Sequence, residues 1–273
     1  MITENMNCES CAFRNLKGTA TAVIMRDGKT LLLKRNQEPF LGDWDLPGGY
    51  INEGETPEDA ICREIKEELG VSIVGITPIK TFPGIAYWNN KDFPIISHAF
   101  LVEISGDIRL DNENTAYCWE EPRAVKKTVA FDSNKNIMEF VDDKFSISFP
   151  EVKELVKQLD SSARIQEYNY YQAVLDGYVA KEYDGNKLIG MGWIFPRRTL
   201  LRKQAVIEDM IVDEKYRGQG LGKKILLDLL RWAKENGVEM VELTSGSHRI
   251  AANELYKKVG FQLHPTNHYL LKL

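Results

Sequence analysis

The chain has 273 residues, four cysteines and a net charge of −5, long enough for two ordinary domains and too acidic for wholesale nucleic-acid binding. It has no run of eighteen apolar residues and no basic-then-apolar leader, so a soluble, cytoplasmic protein without membrane or nucleic-acid partners is expected. Four cysteines make no disulfide scaffold at this length, which fits a reducing compartment.

Cys8 and Cys11 form a C-x-x-C ahead of the first predicted strand. Residues 39–49, PFLGDWDLPGG, lead into a helix whose signals are all local. Thr56 is a fit N-cap with Asp59 three residues on, Pro57 suits the first turn, and Gly70 is placed to end it. Ile61, Ile65 and Leu69 recur every four residues and face a core, which leaves Glu64, Glu67 and Glu68 at i, i+3 and i+4 on the other side. Like charges at that spacing repel by roughly 0.2–0.5 kcal/mol per pair, and a divalent cation with oxygen ligands offsets the repulsion. Arg63, four residues before Glu67, is placed to orient it. Further on, Trp88 and Phe93 fall in a predicted loop, and Glu113 stands in the polar run DNEN, six residues before Trp119.

The stretch from Gly49 to Val71 resembles the Nudix box G-x5-E-x7-R-E-U-x-E-E-x-G-U at every defined position: Gly49, Glu55, Arg63, Glu64, Ile65, Glu67, Glu68, Gly70 and Val71. The resemblance covers roughly residues 8 to 142 and implies metal-dependent hydrolysis of a nucleoside diphosphate linked to another group, ADP-ribose or an NADH-like dinucleotide among them. It implies Mg²⁺ or Mn²⁺ bound by Glu64, Glu67 and Glu68 with the carbonyl of Gly49, and Glu67 or Glu113 assisting a water. A surface glutamate is the other reading of Glu113. The C-x-x-C is similar to half of a zinc ribbon. Cys62 and Cys118 lie in predicted core elements and supply no second half, so zinc is not expected within one chain, and bridging in a homodimer stays open.

Residues 1–142 hold 15 Lys and Arg against 23 Asp and Glu, a net −8, which leaves +3 for residues 143–273. The junction is expected at 142/143, in the segment DDKFSISFP, with Phe145–Phe149 a candidate first strand of the second domain. Residues 150–160 read as a helix, and Tyr168, Tyr170 and Tyr171 as part of an amphipathic one. Two strands over 177–195 are joined at the hairpin signal Asp184-Gly-Asn186. From Ala205 come a strand, the glycine-rich turn Arg217-Gly218-Gln219-Gly220-Leu221-Gly222, an amphipathic helix ended by Gly237, and another strand. The glycines let backbone N–H groups approach an anion at a helix N-terminus, with Lys223 and Lys224 adding charge. The G-x-G-x-G spacing, well inside its domain, does not suit a dinucleotide fold. On the glycines alone, a plain surface turn remains the alternative.

The turn resembles the R/Q-x-x-G-x-G/A signature of GNAT acetyltransferases, and SHRIAANELYKKVGF resembles their second motif, with Ala252, Leu255, Tyr256, Gly260 and Phe261 in place. This resemblance implies acetyl-CoA held by residues 217–222 beside Ile211 and Val212, with Asn253 of the second motif, and transfer to an amine acceptor. Tyr256 would protonate the departing thiolate, and Glu208 is the candidate base; packing roles are the other reading of both. The expected fold is α/β (α+β): an N-terminal α/β/α sandwich around a mixed sheet over residues 1–142, then a twisted, mostly antiparallel sheet over 143–273. A sensor in which one domain binds without turnover is the competing class. His98, His248, His264 and His268 are scattered without metal spacing.

Overall fold

A computed structural model describes residues 16–88, 91–162, 164–265, and 267, 269 and 271. Cys8, Cys11, His268 and the Trp88 side chain, all named above, lie outside that description. The fold is mixed α/β, and the chain divides into two compact units. The first takes in residues up to 153 and then 164–175; the second takes 154–163 and everything from 176 onward. No described helix is long and apolar enough to cross a membrane.

The first unit is built on a mixed four-stranded sheet in the order β5 (Gly48–Tyr50), β1 (Lys17–Val23), β7 (Lys91–Ser105), β6 (Ser72–Trp88). β1 runs parallel to β7, and the other neighbours are antiparallel. A second sheet joins β2 (Met25–Arg26), β3 (Lys29–Arg35) and β4 (Trp44–Asp45), with β8 (Asn114–Glu120) also on β3. Helix α1 (Pro57–Leu69) lays Ala60, Ile61, Ile65 and Leu69 on Ala20, Ala22, Leu31, Leu33 and Phe100. Each of those large side chains contributes about 1.5–3 kcal/mol by leaving water. Its ends form as the residues dictate: Thr56 and Asp59 make a reciprocal capping box, and Gly70 closes the helix at φ 65°.

Three elements differ from expectation. Trp88 and Phe93 belong to the long β6–β7 hairpin, not to a loop, and Phe93 is buried against Tyr50 with ring centroids 6.4 Å apart. Cys62 sits on α1 but is exposed. After the short α2 (Pro122–Val125), α3 runs over Asp132–Lys144, straight through the expected junction. Residues 145–148 form no strand, and α4 (Phe149–Val156) starts at once. Ser148-Phe-Pro-Glu151 explains this, because Glu151 Oε2 accepts from both the N–H and the hydroxyl of Ser148, and a helix start outcompetes an extended run.

Helix α5 (Glu167–Asp176) is held by the first unit through four side chains. Glu167 accepts from the N–H groups of Asp27 and Gly28 in the β2–β3 turn and from the Tyr171 hydroxyl. Tyr168 and Gln172 both bond Thr77 of β6. Tyr170 and Tyr171 are buried, the first bonding the Ile147 carbonyl.

The second unit carries the sheet β12 (Met240–Leu243), β11 (Lys203–Val212), β10 (Lys187–Arg198), β9 (Tyr178–Asp184), antiparallel except for the parallel pair β11–β12. Helix α6 (Leu221–Glu235) buries Ile225, Leu226, Leu229 and Ala233 on Ala180, Ile194, Ala205 and Ile207. Leu255, Tyr256 and Val259 of α7 (Ile250–Val259) pack on the same core.

Candidate functional sites

In the first unit the polar face of α1 is organised by Arg63. Its Nε and Nη2 grip both oxygens of Glu55 at 2.7 and 2.9 Å, and Nη2 also donates to the Tyr50 carbonyl at 2.9 Å. Nη1 donates to Glu64 at 2.7 Å and to Glu67 at 3.1 Å. The guanidinium holds the Glu55 carboxyl down at about 2. Glu64 packs against the backbone of Gly49, leaving no room for a β-carbon there.

Glu68 is the most enclosed of the three helix glutamates. It accepts from the Gly48 N–H at 2.9 Å and from Asn114 Nδ2 at 3.4 Å. Burial pushes its carboxyl up to about 8, with the charges of Glu64 and Asp111 adding to the rise. Glu64 is likewise raised, first by burial and then by Glu67 and Glu113. Glu113, turned by Gln37 Nε2 at 2.9 Å, therefore stands close enough to act on Glu64. The sequence reading missed Asn114 and Asp111, which bond each other at 3.3 Å beside Glu68. Their signal was the polar run DNEN.

The charged groups that Arg63 bonds are all carboxylates, and on the same helix Glu64 and Glu68 are desolvated against their preference. That oxygen-only donor set suits a hard divalent cation. Among the described residues no three acidic, histidine or cysteine side chains stand together as an ion's ligands would. Arg63 draws Glu64 and Glu67 to itself, while Gly48 and Asn114 hold Glu68.

In the second unit, β11 runs out through Ile211 and Val212 into a turn where Gly218 and Gly220 take φ of 79° and 84°. Those angles favour glycine. Gly220 is the N-cap of α6, with no side-chain cap. Residues 217–220 are exposed, and the N–H groups of Gly218, Gln219 and Gly220 have no acceptor among the described residues. Such a turn at a helix start is suited to an anion. Arg217 is anchored to the Val212 carbonyl through Nε at 3.1 Å. A β-carbon on Gly222 would stand 3.5 Å from Leu255 and 3.9 Å from Val212, so β11, α6 and α7 meet there. Lys224 is engaged by Glu182 at 2.6 Å, which leaves Lys223 as the lysine at the turn without a partner among the described residues.

Tyr256 lies on α7, half-buried, with its ring 6.1 Å from Phe261. Its hydroxyl bonds no described residue, and burial raises its pKa against the opposing charge of Arg249. Asn253 donates to the Gly246 carbonyl at 3.0 Å. Glu208 is partly buried on β11, opposite Trp193.

Comparison with known proteins divides the chain near residue 140, ahead of the boundary between the compact units. Residues 16–140 match the NUDIX domain, and residues 138–261 match the acetyltransferase (GNAT) family. An ADP-ribose pyrophosphatase of Methanocaldococcus jannaschii is 34% identical over 122 residues, 44% of this chain and 69% of that one. The nucleoside triphosphatase NudI of Salmonella typhimurium is 35% identical over 113 residues, 37% of this chain and 78% of that one. An uncharacterized N-acetyltransferase of Bacillus subtilis, YobR, is 32% identical over 92 residues, 34% of this chain and 36% of that one.

Proposed function

From a chain that belongs to the Nudix family and carries a GNAT acetyltransferase domain as its second half, we propose a bifunctional enzyme with two separate chemistries. The first half hydrolyses a nucleoside diphosphate linked to another group, and the second transfers acetyl from acetyl-CoA to an amine.

The observation that carries the hydrolase reading is the crowding at Glu68, a carboxylate raised to about 8 by burial with Glu64 and Asp111 beside it. A divalent cation would relieve that crowding by drawing the carboxylates of α1 together. Glu64, Glu67 and Glu68 would hold Mg²⁺ or Mn²⁺ with the Gly49 carbonyl. The ion, when bound, offsets diphosphate charge and acidifies water. Arg63 fixes where Glu64 and Glu67 point. Glu67, more than half exposed beside Arg63, and Glu113, held by Gln37, are the candidates to take a proton from an attacking water. The Methanocaldococcus relative is named for ADP-ribose, which makes ADP-ribose the first compound to test, before NADH-like dinucleotides and dinucleoside polyphosphates.

For the transferase, the unbonded N–H groups of residues 218–220 support pyrophosphate binding, with the pantetheine arm running along Ile211 and Val212. Tyr256, whose hydroxyl is uncommitted, would give its proton to the leaving thiolate.

The test is a screen of purified protein against nucleoside diphosphate derivatives with Mg²⁺ and with Mn²⁺, beside the Glu68→Gln variant. Metal-dependent cleavage that falls roughly 10²–10⁴-fold in the variant is expected. Parental rates in Glu68→Gln would remove the helix from the mechanism.

A further inference from the structure

The segment that joins β11 to the glycine turn is short and mostly exposed, yet it is held from three sides. Residues Glu214–Tyr216 form a single 3₁₀ turn capped by Asp213, whose Oδ1 accepts from the Lys215 N–H at 3.0 Å. The Asp213 N–H in turn donates to the Ile189 carbonyl of β10 at 2.8 Å. From another side Gln158 Oε1 accepts from the Glu214 N–H at 3.0 Å. The third grip comes from the tip of the β9–β10 hairpin, where Asp184 and Lys187 pair across the Gly185-Asn186 turn. Both close on Tyr216: the Lys187 ammonium lies 5.4 Å from the ring centroid, and Asp184 Oδ2 accepts from the hydroxyl at 2.7 Å. Lys187 Nζ also donates to Asp213 Oδ2 at 2.7 Å.

Asp213 is buried, and a buried carboxylate without a cationic partner is strongly disfavoured. Lys187 is the cation that lets it lie there charged. What the grip fixes is the direction in which the chain leaves. Arg217 follows Tyr216 directly, and the N–H groups of Gly218, Gln219 and Gly220, which have no acceptor among the described residues, come next. Glycines at φ 79° and 84° give that segment access to many conformations. An anion is bound well only where the N–H groups already converge, so that little ordering is left to the moment of binding. The hold on Tyr216 supplies that order one residue upstream of Arg217.

We propose that Asp184 and Lys187 are positioning residues for acetyl-CoA: through Tyr216 and Asp213 they hold the backbone of residues 217–220 in the arrangement that receives the diphosphate. This assignment rests on the acetyltransferase reading above. Lys187 acts as a brace and not as a charge offered to the ligand, because its ammonium is already engaged by Asp213 and by the Tyr216 ring.

The experiment titrates acetyl-CoA calorimetrically into the full-length parent, Lys187→Met, Lys187→Arg, Asp213→Asn and Tyr216→Phe, with the melting temperature of each. Loss of one charge-assisted bond is expected to weaken binding roughly tenfold in Lys187→Met and in Asp213→Asn. Lys187→Arg keeps a cation over the ring and should return to within about threefold of the parent. Tyr216→Phe keeps every charge and the ring, loses only the bond to Asp184, and should weaken binding roughly threefold. The sign in Asp213→Asn separates a brace from direct attraction. Removing that carboxylate frees the lysine and makes its surroundings more positive, so a lysine that drew the phosphates by charge would bind acetyl-CoA more tightly there. Tighter or unchanged binding in Asp213→Asn, unchanged binding in Lys187→Met, or no recovery in Lys187→Arg overturns the assignment. Melting temperatures within about 3 °C of the parent are expected. Where Lys187→Met or Asp213→Asn falls further, Tyr216→Phe decides, and parental affinity in it overturns the assignment. A parent chain that binds no acetyl-CoA sinks the acetyltransferase reading itself, and this assignment with it.

Discussion

A β-carbon on Gly49 would stand 2.2 Å from Glu64 Oε1. The first glycine of the box is therefore the floor on which the Glu64 carboxylate rests, and its small size is a statement about where that carboxylate must be. The clash is with the far end of a flexible side chain, so Gly49→Ala should move Glu64 rather than unfold the unit. Stability is expected to stay within about 1 kcal/mol, helped by the reduced freedom of the unfolded chain. Hydrolysis should fall roughly 10²-fold from the misplaced group. Denaturant melts beside hydrolysis rates check this; an active Gly49→Ala variant would show that Glu64 need not lie there.

Asp45 gives the first unit a pH signature. It is buried, accepts from Asn134 at 2.6 Å and lies 3.8 Å from Arg35, and burial outweighs both in raising its pKa to about 6. The native state thus keeps a proton that the unfolded chain releases near 3.8. Below pH 4 both states hold it. Between about 4 and 6 the contribution to stability is lost as pH rises, on the order of 2–3 kcal/mol in all. Asp45→Asn keeps the bond to Asn134 and should flatten the stability profile in that window. An unchanged slope from urea melts across pH 4 to 7 would reject the assignment.

The position of α5 predicts where the chain can be cut. A fragment ending at residue 142 stops inside α3 and loses Tyr170, Tyr171 and the Glu167 contacts to the β2–β3 turn. A fragment ending at 175 keeps them. The shorter piece should melt more than about 5 °C below the longer one, since several buried side chains at about 1.5–3 kcal/mol each are at stake. Equal melting temperatures would mean that α5 docks without stabilising.

In the second unit, binding and turnover should come apart. Gly220 holds φ 84° at the start of α6, so Gly220→Val both strains the turn and crowds its N–H groups. It should abolish acetyl-CoA binding. Tyr256→Phe removes one hydroxyl and should leave affinity intact while slowing transfer roughly 10²–10⁴-fold. Calorimetric titration and single-turnover rates on both variants decide it, and full turnover in Tyr256→Phe would demote the tyrosine to packing.

What could be read beforehand was whatever a helix or turn fixes within a few residues. The capping box at Thr56, the Ile61, Ile65, Leu69 stripe and the glutamate face all follow from 3.6-residue spacing, and the hairpin at Gly185-Asn186 from its turn chemistry. The same logic, applied to Ser148-Phe-Pro-Glu151, gives the start of α4, but the alternation of Phe145, Ile147 and Phe149 has the period of a strand. Asn114 reaching Glu68 across 46 positions of sequence had no local sign. Neither did the bulge in β11, where Trp193 pairs with Glu208 but Met191 with Ile211 across the neighbouring strand.

Glu167 bonds Gly28 across 139 positions, and this ties the order of synthesis to the order of folding. As the chain emerges from its N-terminus, the β2–β3 turn waits uncapped while all of α1, both long strands of the β6–β7 hairpin and α3 are made. The residues that finish the first unit come after ten that belong to the second. A nascent chain therefore never presents a finished first unit alone: by the time its last helix has been translated, ten residues of the second unit already precede it.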